Sequence, residues 1–483
     1  MQKITSKEPL KIYNSLSKRK EVFMPIKTGH VGIYVCGATV YNDIHLGNCR
    51  TFISLDLIVR YFSYLGYKVR YIRNITDVGH LEDETNDRYD KITKKALIER
   101  IEPMELAQKY TYNLHRLLDK FNALSPNIEP FASGHIIEQI EIIKILLKKG
   151  FAYEVDGSVY FDLNRYSCIH QYGILSRSNF EKTMILKDRR QKRNPKDFAL
   201  WKKADDAHVM QWTSPWGKGF PGWHLECTTM SSKYLGEVFD IHAGGIDLKF
   251  PHHECDIVQA IGLHGKIPGH YWIHPHFLSI NGKKMSKSIG NFIIPYNILT
   301  KFSSDVIRFF ILQAHYRSNL SFSSKALTSA EKGYSRLIDS FFNLEELFTR
   351  NIKVSTSTID IITWRQKCYD AMNDDFNSPR LIAHLFEATH WIKALLGGYE
   401  YLTDSDLKLL ENTMKNFFSK VLGLTIKIKK QTSKVEELLK ILMEIRSKAR
   451  NEKNWVLSDK IRKDLFSLGY VLHDTENDTK VEA

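Results

Sequence analysis

The stretch YVCGATVYNDIHLGNCR, Tyr34–Arg50, sets a cysteine at the end of an apolar run and a histidine where an amphipathic segment begins. Val31 to Val35 reads as a short strand closing at Gly37, a polar loop follows, and Cys49 to Leu65 carries the spacing of a helix. If Tyr34 to Cys36 ends a parallel strand and the helix begins near Leu46, His45 and Asn48 stand at a helix N-terminus. Free N–H groups and the positive end of the helix dipole suit that position to a phosphate chain, and an imidazole adds a directed donor. Taken alone, the stretch also fits ordinary core packing, so its neighbours decide.

Outward from it, KVRYIRNIT alternates as a strand, and a long helical region runs from about Asp90 to Phe121 with a break near Pro103. Together these make an alternating α/β opening, here taken as residues 1–125. From 126 to 212 the character changes. A helix around Ile136 to Lys149, the hairpin arm VDGSVYFDL and the basic run KDRRQKRNPK, Lys187 to Lys196, read as an insertion. Strand-like GEVFDIHAGG and helix-like DLKFPHHECDIVQAIGLH then give a second α/β half, 213–323. Beyond Ser324 the pattern is helical, a bundle over 324–430 and a last section over 431–483. Its clearest helix follows Asn377 and Ser378, which can cap, and Pro379, which suits a first turn.

Length and composition set the bounds. A chain of 483 residues suits about three domains, and 43% hydrophobic with 12% aromatic residues describes a folded globular protein. MQKITSKEPLKIYNS lacks the apolar core of a signal peptide, and no apolar run reaches the length of a membrane span, so a cytoplasmic protein with no membrane association is expected. Six scattered cysteines without a secretory signal point to reduced thiols or metal ligands. A formal charge of +14 and a pI near 9.2 suit a polyanionic partner.

Far downstream, NGKKMSKSIGN, Asn281 to Asn291, places Lys283, Lys284 and Lys287 between Gly282 and Gly290. Ammonium groups on a loop hinged at glycines suit charge growing on a leaving pyrophosphate. Neither this loop nor the opening stretch matches a P-loop. HLGN resembles the HIGH motif, and KKMSKS contains the KMSKS motif, of class I aminoacyl-tRNA synthetases, in the family's order on either side of an insertion. Within that class the chain resembles the cysteinyl-tRNA synthetases through RNITDVG, KRNPKDFALWK, SPWGKGFPGWHLEC, FDIHAGGIDLKFPHHE and HYRSNLSF, and the likeness covers nearly the whole chain.

The resemblance implies a Rossmann-like catalytic domain split by a connective insertion, followed by all-helical tRNA-binding domains. It implies a monomer that takes ATP with Mg2+, L-cysteine and tRNA(Cys) as partners and holds one Zn2+. The family's zinc ligands fall on Cys36, Cys227 and His252, with a carboxylate four residues on. A thiolate binds zinc at about 2.3 Å and a hydroxyl binds it poorly, so zinc can sort cysteine from serine. Shape alone gains only about 1 to 3 kcal/mol against a near-isostere.

Two positions depart from the family pattern. Position 256 is aspartate rather than glutamate, shorter by one C–C bond, about 1.5 Å, which leaves Cys255 as a rival to Asp256. The i, i+4 pair His252 and Asp256 shares a helix face, and a third thiolate would oppose the incoming one, so Asp256 is preferred. The last position of HIGH is Asn48, which still donates a hydrogen bond. Gly37, Thr76, Trp223 and His242 match the cysteine pocket. Gly244, Gly245 and Asp247 match the nucleotide turn, and Lys287, with Lys284, matches the transition-state cations. Arg450, Trp455, Asp459 and Asp474 resemble the family's anticodon reader, where an aromatic ring stacks on an unpaired base. Two other readings fit part of this pattern: a ligase joining cysteine to a small amine, and a noncatalytic zinc-containing RNA-binding protein.

Overall fold

The computed structural model describes residues 8–81, 89–175, 192–205, 208–280, 282–285, 290–350, 354–426, 432–474 and 479–482. Two compact units divide the chain, Met1–Thr425 and Ile426–Ala483.

The first unit is built on a four-stranded parallel sheet: β1 (His30–Thr39), β2 (Lys68–Thr76), β3 (Phe239–Ala243) and β4 (Gly269–Ile273), in spatial order β2-β1-β3-β4. α1 (Leu46–Tyr64) returns the chain from β1 to β2, and α2 (Leu225–Leu235) precedes β3. α3 (His252–His264) joins β3 to β4. Strand order thus reverses between β1 and β3, and the crevice beyond the carboxyl ends of strands at such a reversal is where open α/β sheets bind ligands. Both strands are buried runs, as a sheet covered on both faces requires.

β1 does not stop at Gly37 as its apolar run suggested. It runs to Thr39 with a register shift against β2 between Val35 and Ala38, so Cys36 and Gly37 occupy a bulge. Such an extra residue re-aims a side chain. Glycine is required there, because a Cβ on Gly37 would stand 1.7 Å from the Asn74 carbonyl oxygen. The expected strand KVRYIRNIT is β2, and the helical region near Pro103 is broken there into Lys91–Glu99 and Pro103–Lys120. Residues Ile128 and Phe131 bridge to Ile72 and Ile75 at the outer edge of β2.

Between α/β halves, the helix Ile136–Lys148 and a five-stranded antiparallel sheet form a side layer. That sheet takes in Ala152–Val155, Ser158–Phe161 and Phe198–Lys203, and runs past Trp212 to Gly217–Pro221. Its core includes Ile143, Leu146, Phe161 and Trp201, and Cys255 and Val258 of α3 pack into it. Of the basic run, 187–191 lie outside the described residues.

Helices Ser324–Arg350, Ile361–Asn373, Ser378–Leu396 and Asp404–Lys415 complete this unit. Asn377 caps the third by accepting from Arg380 N, with Pro379 in the first turn. A buried ion network joins α1 to helix Ser304–Leu312: Asp56 receives Arg60 Nε at 2.7 Å and pairs with Arg308, which donates to the carbonyls of Leu422 and Phe121. The second unit is a pair of helices, α4 (Thr432–Asn451) and α5 (Trp455–Ser467), with a core of Ile461, Leu465 and Leu472. It ends in an antiparallel ribbon, Val471–Asp474 with Thr479–Glu482, which adds strands to a tail that reads as wholly helical. Gly469 at φ +91° frees the chain to turn from helix into ribbon. Among the described residues no helix is long and apolar enough to cross a membrane.

Candidate active site and metal centre

A cavity of about 660 Å³ opens at the strand-order reversal, with Cys36, His45, Thr76, Trp223, Cys227 and Asp247 among its walls. α1 starts on it. His45 is the N-cap and Asn48 the N3 residue of a reciprocal capping box: Asn48 N donates to His45 Nδ1 at 3.2 Å, and His45 N donates to Asn48 Oδ1 at 3.1 Å. Because Nδ1 accepts, the neutral ring carries its proton on Nε2. Asn48 therefore holds the imidazole in one tautomer and leaves its own NH2 as a donor.

On the other side, the β1 bulge and the first turns of α2 and α3 bring donor atoms together. Cys36 Sγ lies 3.4 Å from Cys227 Sγ, and Cys227 Sγ lies 3.3 Å from His252 Nε2. With Asp256 these form a buried group whose ligand atoms are all within 4.8 Å of one another. A second group shares Cys36 and Asp256 and adds His242 and His253. The spacing suits a metal ion. Tetrahedral ligands at about 2.3 Å stand ~3.8 Å apart, close to the separations here, and Asp256 Oδ2 is buried without a hydrogen-bond partner. His224 Nδ1 lies 3.1 Å from His252 Nδ1, so Nε2 is the nitrogen of His252 turned to the sulfurs.

Burial dominates the electrostatics of this wall. It pushes the Cys36 thiol up to about 11, with the carboxyls of Asp256 and Glu226 adding to the rise, and holds Cys227 and Asp256 well above their ordinary values. The same desolvation lowers His242 to about 3 and keeps His252 and His253 well below the usual imidazole range. Without an ion the thiols keep their protons and the imidazoles stay neutral; a cation would draw off the thiol protons.

The family model for the class I (C) tRNA synthetase catalytic domain matches residues 22–332, and the DALR domain matches 367–427. The cysteine--tRNA ligase of Bacteroides fragilis is 48% identical over 97% of this chain and 98% of its own. That of Porphyromonas gingivalis is 49% identical with the same coverage. This chain belongs to the cysteine--tRNA ligase family.

More distant likeness concerns fold alone. A methionyl-tRNA synthetase of Mycobacterium tuberculosis, in complex with methionyl-adenylate, has a TM-score of 0.56 at 14% identity, covering 81% of this chain and 89% of the other. The LeuRS of Agrobacterium radiobacter K84 has 0.58 at 11%, covering 83% and 85%.

For a member of the cysteine--tRNA ligase family, most of the expected residues meet at one cavity: Cys36, Gly37, His45, Asn48, Thr76, Trp223, Cys227, Gly245, Asp247 and His252 all line it. Gly244 lies beside them, where a Cβ would meet the His253 ring at 2.8 Å. Lys284 reaches the same rim, its Nζ 3.1 Å from Asp247 Oδ2. Lys287 lies outside the described residues. His242 is not on the cavity wall: it is buried behind it, stacked on Trp272 at 4.3 Å, with Nε2 3.4 Å from Asp256 Oδ2. Cys255 faces away from Asp256, into the apolar core of the side layer, because neighbours on a helix point about 100° apart.

In the second unit, Trp455 opens α5, with its side chain 56% exposed and Asp459 one turn on. Arg450 closes α4 and Asp474 lies on the ribbon.

Two wall residues, His80 and Glu226, are not among those the sequence singles out. His80 stacks on Trp223, centroids 3.9 Å apart and planes within 7°. Its Nδ1 meets Thr39 Oγ1 at 2.6 Å and its Nε2 meets Lys91 Nζ at 3.1 Å, while burial keeps the ring neutral. Glu226 precedes Cys227 and is 2% exposed. A buried charged residue type next to a ligand cysteine was the available signal for it.

Proposed function

We propose that this chain activates L-cysteine with ATP and transfers it to tRNA(Cys). A carboxylate oxygen of cysteine attacks the α-phosphorus of ATP, pyrophosphate leaves, and cysteinyl-adenylate remains. The terminal adenosine hydroxyl of the tRNA then attacks the carbonyl carbon and AMP leaves. The observation that carries this reading is the meeting of Cys36, Cys227 and His252 on the wall of the cavity that α1 opens onto, with Asp256 buried in the same donor group, all ligand atoms within 4.8 Å of one another.

Those four residues would hold Zn2+, two thiolates, an imidazole and a carboxylate being a donor set it favours. When bound, zinc supplies a Lewis-acid position that takes a thiolate in preference to a hydroxyl. The other roles fall to the chain's own groups. His45, protonated at Nε2, and the N-terminal amides of α1 receive the ATP phosphates, which arrive with Mg2+. Asp247 beside Gly244 and Gly245 accepts from the ribose hydroxyls. Lys284 and Lys287 carry cations to the pyrophosphate as its charge grows. Trp223 closes the amino-acid pocket, with Gly37 and Thr76 facing it and His242 backing the metal group. In the second unit Arg450, Trp455, Asp459 and Asp474 read the anticodon. The chain acts as a cytoplasmic monomer.

The test is cysteine-dependent ATP/pyrophosphate exchange with serine as competitor, followed by transfer to purified tRNA. Exchange that ignores serine, then transfer, is expected. Exchange without transfer would instead favour a ligase acting on a small amine, and zinc-loaded protein with neither would favour a binding module.

A further inference from the structure

Glu226 is a buried carboxyl on the cavity wall with no assigned task. A hydrogen-bonded series leads to it. Gly37 N donates to Asn74 Oδ1 at 2.9 Å, Asn74 Nδ2 donates to Thr76 Oγ1 at 3.2 Å, and Thr76 Oγ1 donates to Glu226 Oε1 at 2.5 Å. The series starts at the bulge that aims Cys36 and ends beside Cys227. Glu226 Oε2 is buried without a hydrogen-bond partner, and among the described residues no lysine, arginine or histidine forms an ion pair with this carboxyl. Leaving such an oxygen unmatched is costly, and native sites that tolerate it have a ligand or a functional reason.

Thr76 spends its only proton on Glu226 and one lone pair on Asn74. Its remaining lone pair, on a residue that lines the cavity, can only accept. We propose that Glu226 is a positioning residue for the positive end of the amino acid: it fixes the Thr76 hydroxyl as an acceptor and stands behind it as the acidic counterpart of the substrate's α-ammonium. The idea rests on the reading of the cavity as a cysteine site. It gives that reading a second point of recognition, because Glu226 and Cys227 are consecutive residues and a β-aminothiol carries its nitrogen and sulfur on adjacent carbons. One turn of α2 would then address both heads of the substrate, leaving its carboxylate free toward the phosphates at α1.

Metal-loaded full chain and its Glu226→Gln variant, which keeps the shape and an acceptor for Thr76, are titrated calorimetrically with L-cysteine, cysteamine and 3-mercaptopropionate. Loss of one charge-assisted contact should weaken the two ammonium-bearing thiols about tenfold and leave 3-mercaptopropionate, which has no nitrogen, within about twofold of wild type. In exchange assays the KM for cysteine should rise by the same factor while the KM for ATP does not. Thr76→Val, which removes the acceptor but keeps the carboxyl, should reproduce the pattern. Equal weakening of all three thiols, no weakening of any, or loss of metal from Glu226→Gln overturns the proposal. A wild type that shows no cysteine-dependent exchange overturns the reading of the cavity instead, and the calorimetric pattern still decides the role of Glu226.

Discussion

At the scale of single residues, the metal group ties proton count to metal content. Cys36, Cys227 and Asp256 all sit above their ordinary values because burial disfavours their anions, and the two thiols of the metal-free protein hold their protons at pH 7. An ion must displace them. Apparent metal affinity should therefore climb with pH between 6.5 and 8.5, by about two log units per pH unit, one for each thiol proton released. Competition against a chelator at several pH values measures the slope, and a flat profile would remove the thiols from the site. Asp256→Ala should lower metal retention about 10- to 100-fold, while Cys255→Ala should not alter it, since Cys255 packs with Ile143 and Leu146. That choice was hard to make from sequence, where the two candidates are adjacent; α3 makes it by turning one inward to the sulfurs and the other to the apolar layer. The stack of His80 on Trp223 was invisible for a different reason, because nothing local in either segment marks the other as its partner. Removing it with His80→Ala should raise the cysteine KM about 2- to 12-fold, the worth of an aromatic pair.

Elements explain why these residues converge. Strand β2 and the break near Pro103 were legible because alternation and proline geometry are properties of a few consecutive residues. The extent of β1 was not. Its bulge depends on Asn74 approaching Gly37 from the neighbouring strand, a contact between strands that no single window contains. Likewise the side layer's sheet runs past Trp212 to Pro221 because Gly217–Pro221 pairs directly with Phe198–Lys203 and carries Trp212–Ser214 on its other edge. α1 bears two functions in one element: its first turn presents His45 to the cavity, and its middle anchors the buried pair of Asp56 with Arg60 and Arg308. These should separate by mutation. Asn48→Ala breaks the reciprocal cap and should cost about 1 kcal/mol of stability, with a larger fractional loss in pyrophosphate exchange because His45 is no longer held in one tautomer. Asp56→Asn leaves two buried guanidinium groups without their carboxylate and should cost about 3–5 kcal/mol, read as a fall in the midpoint of urea unfolding, with the KM for cysteine unchanged in the protein that remains folded.

For the whole molecule, the buried histidines in and around the candidate metal group set a limit on acid stability. His80, His242, His252, His253 and His274 are all held below the usual 6.5 by burial. The unfolded chain takes up protons near pH 6.5 that the native state refuses, so their contribution is whole above that pH and is lost as pH falls toward about 3, where His242 titrates. Metal-stripped protein should accordingly lose unfolding free energy steadily below pH 6.5, as denaturant midpoints at successive pH values would register. The two compact units allow a sharper division of labour. Metal group, α1 and nucleotide turn all lie in Met1–Thr425, whereas Trp455 and Asp459 lie in Ile426–Ala483. On the proposed roles, adenylate formation needs only the first set. Stacking of a base on an aromatic ring is worth about 1–3 kcal/mol, so Trp455→Ala should raise the KM for tRNA about 5- to 150-fold. Trp455 is more than half exposed and its loss leaves the core of Ile461, Leu465 and Leu472 intact, so the variant should fold as wild type does. Cysteine-dependent exchange without tRNA should match wild type in the same preparation. A fall in both activities together would mean that Trp455 supports the fold rather than the RNA, and no change in either would take the anticodon away from this helix.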